Sequence, residues 1–170
     1  LEVLRQPLEE KEIQISRTYG NYRFPADVIL VAAMNPCPCG CYPDMQKCTC
    51  TPAQIQMYLN KISRPFLGRI DLCVEAGPVS YKDLTSERKA ESSAQTRKRI
   101  CRVRKLQKER YRNNGITVNA MLDEKGLKRY CTLEEDARRL MEQAFSVMGL
   151  TARGYHRILK TARTIADLEG

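Results

Sequence analysis

An α/β part followed by an all-helical part is the fold class that this 170-residue sequence predicts, and three observations carry it. The first is the run Val28-Ile29-Leu30-Val31-Ala32-Ala33-Met34, apolar throughout and without alternation. Such a run is expected of a strand covered on both faces of a parallel sheet, or less readily of a short core helix. The second is a change of character near residue 80, beyond which only helical patterns occur. The third is a pair of helix-start signals, at Thr132 with Glu135 three residues on and at Thr151. The division that follows is a mixed α/β part in residues 1–80 and a helical part in residues 81–170.

Taken in order, Leu1-Glu2-Val3-Leu4-Arg5 begins inside an apolar-periodic helix, without initiator Met or cap, and the chain reads as a fragment of a longer protein. Ile13 and Ile15 alternate with polar neighbours, and Tyr19-Gly20-Asn21-Tyr22 is a turn signal. Glu12 to Ala26 is therefore expected as a hairpin or a loose insertion. The apolar run follows and ends at Asn35. Ligands of open α/β sheets bind at strand ends, which makes the Asn35 amide a candidate contact for phosphate or water; as a plain turn residue it would serve only to precede Pro36. Thr51-Pro52 supplies a cap and first helical position for a helix carrying Ile55, Tyr58, Leu59 and Ile62. Arg69 stands directly before a short expected strand, Ile70 to Glu75, closed by Gly77-Pro78.

The helical part opens with a basic segment, Ser86 to Asn113, long enough for about seven turns. Its narrow apolar stripe is Ile100, Val103 and Leu106, and Asn113-Asn114-Gly115 breaks it. The helix opening at Thr132 is expected to bury Ala137, Leu140, Met141, Ala144 and Phe145. The last helix sets Tyr155, Ile158, Leu159, Ala162, Ile165 and Ala166 against a basic side of Arg153, His156, Arg157, Lys160 and Arg163.

The net charge of +9 is concentrated, since Ser86 to Asn113 holds eleven Lys/Arg against three Glu and by itself accounts for +8. A segment of that kind favours polyanions, whether nucleic acid, nucleotide phosphates or acidic protein, against the alternative of a solvated helix face. No apolar run approaches the roughly 20 residues that span a bilayer. Eight cysteines without a secretory signal point to a reducing, cytoplasmic compartment, where clustered thiols hold metal more often than they form disulfides.

Five of those cysteines, Cys37, Cys39, Cys41, Cys48 and Cys50, form C-x-C-x-C-x6-C-x-C. Four thiolates at about 2.3 Å from one ion make a closed structural zinc site. Cys37, Cys39, Cys48 and Cys50 are the symmetric pairs, with Cys41 as the spare; oxidation-prone free thiols and a disulfide pair are the other readings. The C-x-C spacing is tighter than the usual two-residue spacing and is expected to leave backbone N–H groups less freedom to reach sulfur. Cys73, Cys101 and Cys131 are scattered and read as core or surface thiols.

Together, LRQPLEEKEIQISR, FPADVILVAAMNPCPCG, CTCTPAQIQMYLNKIS with RPFLGRID, ESSAQTRKRICRVRKLQKER and TARGYHRILKTARTIADLEG resemble the magnesium-chelatase-like AAA+ ATPases of the ComM (YifB) type, over almost the whole chain. The resemblance implies the C-terminal part of a AAA+ P-loop core, after the Walker B carboxylates, followed by an all-helical lid. No G-x-x-x-x-G-K-[ST] occurs in the sequence, so ATP and Mg²⁺ would be held by residues outside it. By the same resemblance Asn35 corresponds to sensor 1, Arg69 in GRID to the arginine finger that reaches a neighbouring subunit's nucleotide, and Arg153 in TAR to sensor 2. It also implies a ring, a hexamer, acting on DNA as a branch-migration helicase or remodeller. Arg64, Gly68 and Gly154 depart from the family pattern, where Gly, Asp and Ala are usual, and Cys41 replaces an aromatic.

Overall fold

In the computed structural model, which describes residues 1–86 and 90–170, the chain forms two compact units, Leu1–Leu72 and Cys73–Gly170. Glu87, Arg88 and Lys89 of the basic segment lie outside the described residues.

In the first unit a single 3₁₀ turn, Glu2–Leu4, leads into helix α1 (Arg5–Glu10), which Lys11 ends in the left-handed conformation. Strands β1 (Glu12–Arg17) and β2 (Gly20–Pro25) then pair antiparallel, with Ile13 opposite Phe24 and Ile15 opposite Tyr22. The hairpin expected from the alternation and the turn signal is what forms, and its two cross-strand apolar pairs share one face. Helix α2 (Pro52–Leu59) starts where the Thr51-Pro52 signal places it. Thr51 Oγ1 accepts from Gln54 N, and Gln54 Oε1 in turn accepts from Thr51 N at 2.9 Å. Ile55 is its buried residue. A short helix α3 (Arg64–Leu67), capped by Ser63, buries Phe66.

Two expected strands are not strands here. Residues 28–34 form neither strand nor helix, leaving Ile29 93% and Val31 88% exposed. Residues 70–75 likewise form no strand, and Val74 is 87% exposed. A strand apolar on both faces becomes one only when neighbours bond its edges and cover its sides. The described sheet consists of β1 and β2 alone, so the α/β character rests on the hairpin and its helices.

The second unit is helical: α4 (Tyr81–Leu84), α5 (Ser93–Arg110), α6 (Glu124–Tyr130), α7 (Glu135–Met148) and α8 (Ala152–Glu169), with a 3₁₀ turn at Asn119–Met121. Tyr111, Leu122, Leu127, Cys131 and Leu159 make its core, joined by Ile116, Tyr130, Leu133 and Tyr155. Tyr111 and Tyr130 meet edge to face, with ring centroids 5.0 Å apart. Gly126 in α6 lies so close to this core that a Cβ there would stand 2.7 Å from Leu122 Cδ2.

Helix α5 differs from the expected stripe. Val103 is buried, but Ile100 is 47% and Leu106 39% exposed, while Gln107 and Tyr111 are buried instead. Steps of three residues drift backwards around a helix by about 60° each, whereas the row 103–107–111 advances by only about 40° and stays against the core. Helix α7 begins at Glu135 with Glu134 as its cap, not at Thr132, because Leu133 first packs onto the core. Its expected apolar face is only partly covered: Ala137, Met141 and Ala144 are half-buried, and Leu140 and Phe145 are exposed.

Candidate functional site

The cysteine loop is built on tight turns. Gly40, at φ +81°, donates its N–H to Cys37 O at 3.0 Å, and Asp44 O accepts from Cys48 N at 2.8 Å, which folds the second C-x-C pair back onto the first. Cys37 Sγ lies 3.3 Å from Cys39 Sγ and 3.9 Å from Cys48 Sγ, and Cys39 Sγ lies 3.6 Å from Cys48 Sγ. With Cys50 included, all four sulfurs fall within 4.8 Å of one another. A tetrahedron of thiolates at 2.3 Å from zinc has edges of about 3.8 Å, so the donor set has the dimensions of a closed four-sulfur site. The thiol of Cys41 turns away toward Cys39 O at 3.7 Å.

Backbone N–H groups do reach these sulfurs, contrary to the expectation from the C-x-C spacing. The N–H of Cys41, the thiol of Cys37 and the N–H of Thr49 converge on Cys39 Sγ and bring its pKa down to about 5. Burial at Cys37 favours the thiol, yet the Tyr42 N–H at 3.4 Å helps carry its pKa below the ordinary cysteine value. At Cys48 the N–H of Cys50 favours the thiolate but is outweighed by burial and by the sulfurs of Cys39 and Cys37, which push the pKa up to about 12. Cys50 is raised in the same way against the Cys39 N–H. The loop thus gathers one ready thiolate among neighbours that cannot all ionise together without a cation. These residues fit a thiolate-binding metal such as zinc.

Asn35 is exposed at the end of the apolar run, and its amide borders the loop: a Cβ at Gly40 would stand 3.8 Å from Asn35 Nδ2. Arg69 follows α3 and is 12% exposed. Its Nε donates to Glu9 Oε2 at 3.0 Å, its Nη2 pairs with the same oxygen, and Nη1 donates to Pro65 O at 2.5 Å. Arg153 lies in the other unit, exposed in the first turn of α8, where Thr151 Oγ1 caps Gly154 N at 3.1 Å. The structure therefore gathers the four cysteines with Asn35 beside them and holds Arg69 on a carboxylate of α1.

Sequence reasoning missed Glu9 as the anchor of Arg69, since nothing in a six-residue helix signals a partner 60 residues away. It also missed a buried polar cluster around Asp167. That carboxylate accepts from Gln107 Nε2 at 3.0 Å, Asn119 Nδ2 at 2.9 Å, Arg110 Nη1 and Nη2 at 2.8 and 2.6 Å, and Arg163 at 3.0 Å. Burial would raise the pKa of Asp167, but Arg110 and the two amides hold it well below the usual carboxylate range. A signal was available: Asp167 lies eight residues after Leu159, on the face of α8 that turns inward.

An apolar run ending in asparagine, an arginine after α3 and a capped basic helix α8 follow one another along this chain, and comparison with known proteins shows its family. The family model described as "Magnesium chelatase, subunit ChlI" matches residues 1–84, and that described as "Magnesium chelatase, subunit ChlI C-terminal" matches residues 90–170. The chain belongs to this magnesium-chelatase-like family of AAA+ type. It is 45% identical over 172 residues to "Competence protein ComM" of Haemophilus influenzae, covering 100% of this chain and 33% of that protein. It is 40% identical to the protein YifB of Salmonella typhimurium and 39% to YifB of Escherichia coli, covering 99% of this chain in each case. The chain spans 33% of the length of each of these relatives. Among the described residues no helix is long and apolar enough to cross a membrane.

Proposed function

We propose that this chain supplies the sensor, finger and lid portion of an ATP-driven ring motor, hexameric and cytoplasmic, that acts on DNA as a branch-migration helicase or remodeller. The observation that carries this reading is the match to ComM along the whole chain, with Asn35, Arg69 and Arg153 each inside a segment shared with the family pattern. In this reading residues 1–80 end the α/β core and residues 81–170 form the lid. No phosphate-cradling G-x-x-x-x-G-K-[ST] occurs in the sequence, so ATP and Mg²⁺ belong to the complete protein. The three polar residues would meet the phosphates from different sides. Asn35 is an uncharged donor and acceptor suited to orienting water. Arg69 offers a planar, permanently charged fork that Glu9 keeps in one orientation until a neighbouring subunit's phosphates compete for it. Arg153 meets phosphate from the lid. Cys37, Cys39, Cys48 and Cys50 would hold a structural zinc ion that fixes the loop next to Asn35.

The test is Arg69→Ala in the complete protein. Loss of ATPase activity by about 10³-fold or more with DNA affinity retained is the expected result. An equal loss of DNA binding, with no ATPase to lose, would instead favour a non-enzymatic zinc-stabilised nucleic-acid-binding module, which the thiol cluster and the cations of α5 also support. A magnesium-chelatase motor subunit is the other enzyme reading, favoured by the family description alone. It would show ATPase activity without DNA dependence.

A further inference from the structure

Helix α5 carries its cations in two sets. One belongs to the fold. Arg110 is spent on Asp167, and Arg99 donates to Glu91 at 3.1 Å beside the N-terminus of the helix. The other set, Arg97, Lys98, Arg102, Arg104, Lys105 and Lys108, is exposed and makes no ion pair among the described residues. At about 100° per residue Lys98, Arg102 and Lys105 lie almost opposite the buried row Val103, Gln107 and Tyr111, while Arg97, Arg104 and Lys108 flank it on one side. From Arg97 to Lys108 the charge runs for about 17 Å along the 18-residue helix.

This arrangement works against the helix. Arg97, Lys98 and Arg99 stand near the N-terminal end, where the macrodipole disfavours cations, and the first turn holds no acidic residue. Lys98 with Arg102 and Arg104 with Lys108 are like-charge pairs at four-residue spacing, which repel. The chain has the means to avoid this, since the cations of α7 are matched: Arg138 and Arg139 both pair with Glu135. A row of unmatched charge maintained at a cost to stability marks a surface relieved by a partner. The partner's chemistry follows from what the row lacks. It contains no exposed aromatic side chain on which unpaired bases would stack, and no apolar centre of the kind that protein interfaces bury.

We propose that the outward face of α5, centred on Lys98, Arg102 and Lys105, is a docking strip for the phosphate backbone of duplex DNA, read without base contacts. The proposal deepens the DNA-motor reading by assigning its nucleic-acid contact, and it does not depend on ATP turnover. The test uses the complete protein without nucleotide and a labelled duplex oligonucleotide titrated over a series of salt concentrations. In the triple variant Lys98→Gln, Arg102→Gln, Lys105→Gln, the slope of log affinity against log salt should become shallower by roughly 2.5–3 units, because each lost phosphate contact removes close to one. The melting temperature should hold or rise. A control with the same charge change, at Lys128, Arg138 and Arg139, whose charges are already paired, should leave the slope within about half a unit of the parent. An unchanged slope in the α5 variant would overturn the proposal. So would tighter binding of single strands through the same residues, or lost self-association with DNA binding intact, which would make the strip a subunit contact. Absence of ATPase activity from the complete protein would sink the motor reading and leave this result standing.

Discussion

The cysteine loop and the Asp167 cluster are both knots of polar groups, yet only one is completed from within the chain. Asp167 receives bonds from two guanidinium groups and two amides, so its charge is matched where it is buried. The cysteine loop brings four sulfurs within 4.8 Å of one another, with several N–H donors around them. A polar cluster of opposite charges holds a fold together; one that gathers four thiolate donors at metal-ligand spacing is shaped for a ligand.

That contrast is broken or sharpened first by removing metal. If the loop is a structural zinc site, its binding free energy is folding free energy, with apparent values of about 10–16 kcal/mol for such sites. A chelator should expose residues 37–50 to proteolysis and leave the helical unit's circular dichroism intact. A loop equally protected with and without chelator would count against the metal.

The next largest effect is expected at Asp167→Ala, which leaves Arg110 and Arg163 without their shared partner and should cost about 3–5 kcal/mol in chemical denaturation. The pH dependence separates the two clusters further. Asp167 has its pKa lowered on folding, so its contribution is complete above the unfolded value of about 3.9 and is lost as pH falls through the lower folded value. The loop's metal competes with protons for thiolates and should leave under milder acid. Two separate acid transitions are expected, metal release followed by loss of helix signal; a single merged transition would erase the distinction.

The Arg69–Glu9 pair lies between these extremes, partly buried and satisfied within one unit. Glu9→Gln should destabilise that unit by about 1.5–3 kcal/mol through loss of a charged hydrogen-bond acceptor. Under the proposed role of Arg69, Glu9→Gln in the complete protein should lower ATPase activity without abolishing it, since Arg69 itself is retained. Smallest is Ser92→Ala, which removes the cap of α5 and should cost about 1 kcal/mol, read as a shift in the unfolding midpoint.

What could be read in advance follows the same boundary between local and distant causes. The Thr51 and Thr151 caps, the hairpin at Tyr19-Gly20 and the C-x-C pairs are local patterns, and the structure has helices, a turn and a thiol cluster at those places. The start of α7 was misplaced because Thr132 and Glu135 satisfy a local capping pattern that the burial of Leu133 overrides. The apolar run 28–34 carries the composition of a central strand, but becoming one depends on neighbours the described chain does not supply. Gln107, Asn119 and Asp167 are far apart in sequence, so only the assembled fold reveals that they meet.

Gly126 bears on how this chain can change over generations. With Leu122 Cδ2 2.7 Å from where a methyl group would stand, and Leu122 itself only 2% exposed, a side chain at position 126 is accommodated only when the end of the Leu122 side chain turns aside within the core. A smaller residue at position 122 removes that demand, so tolerance at 126 depends on what occupies 122.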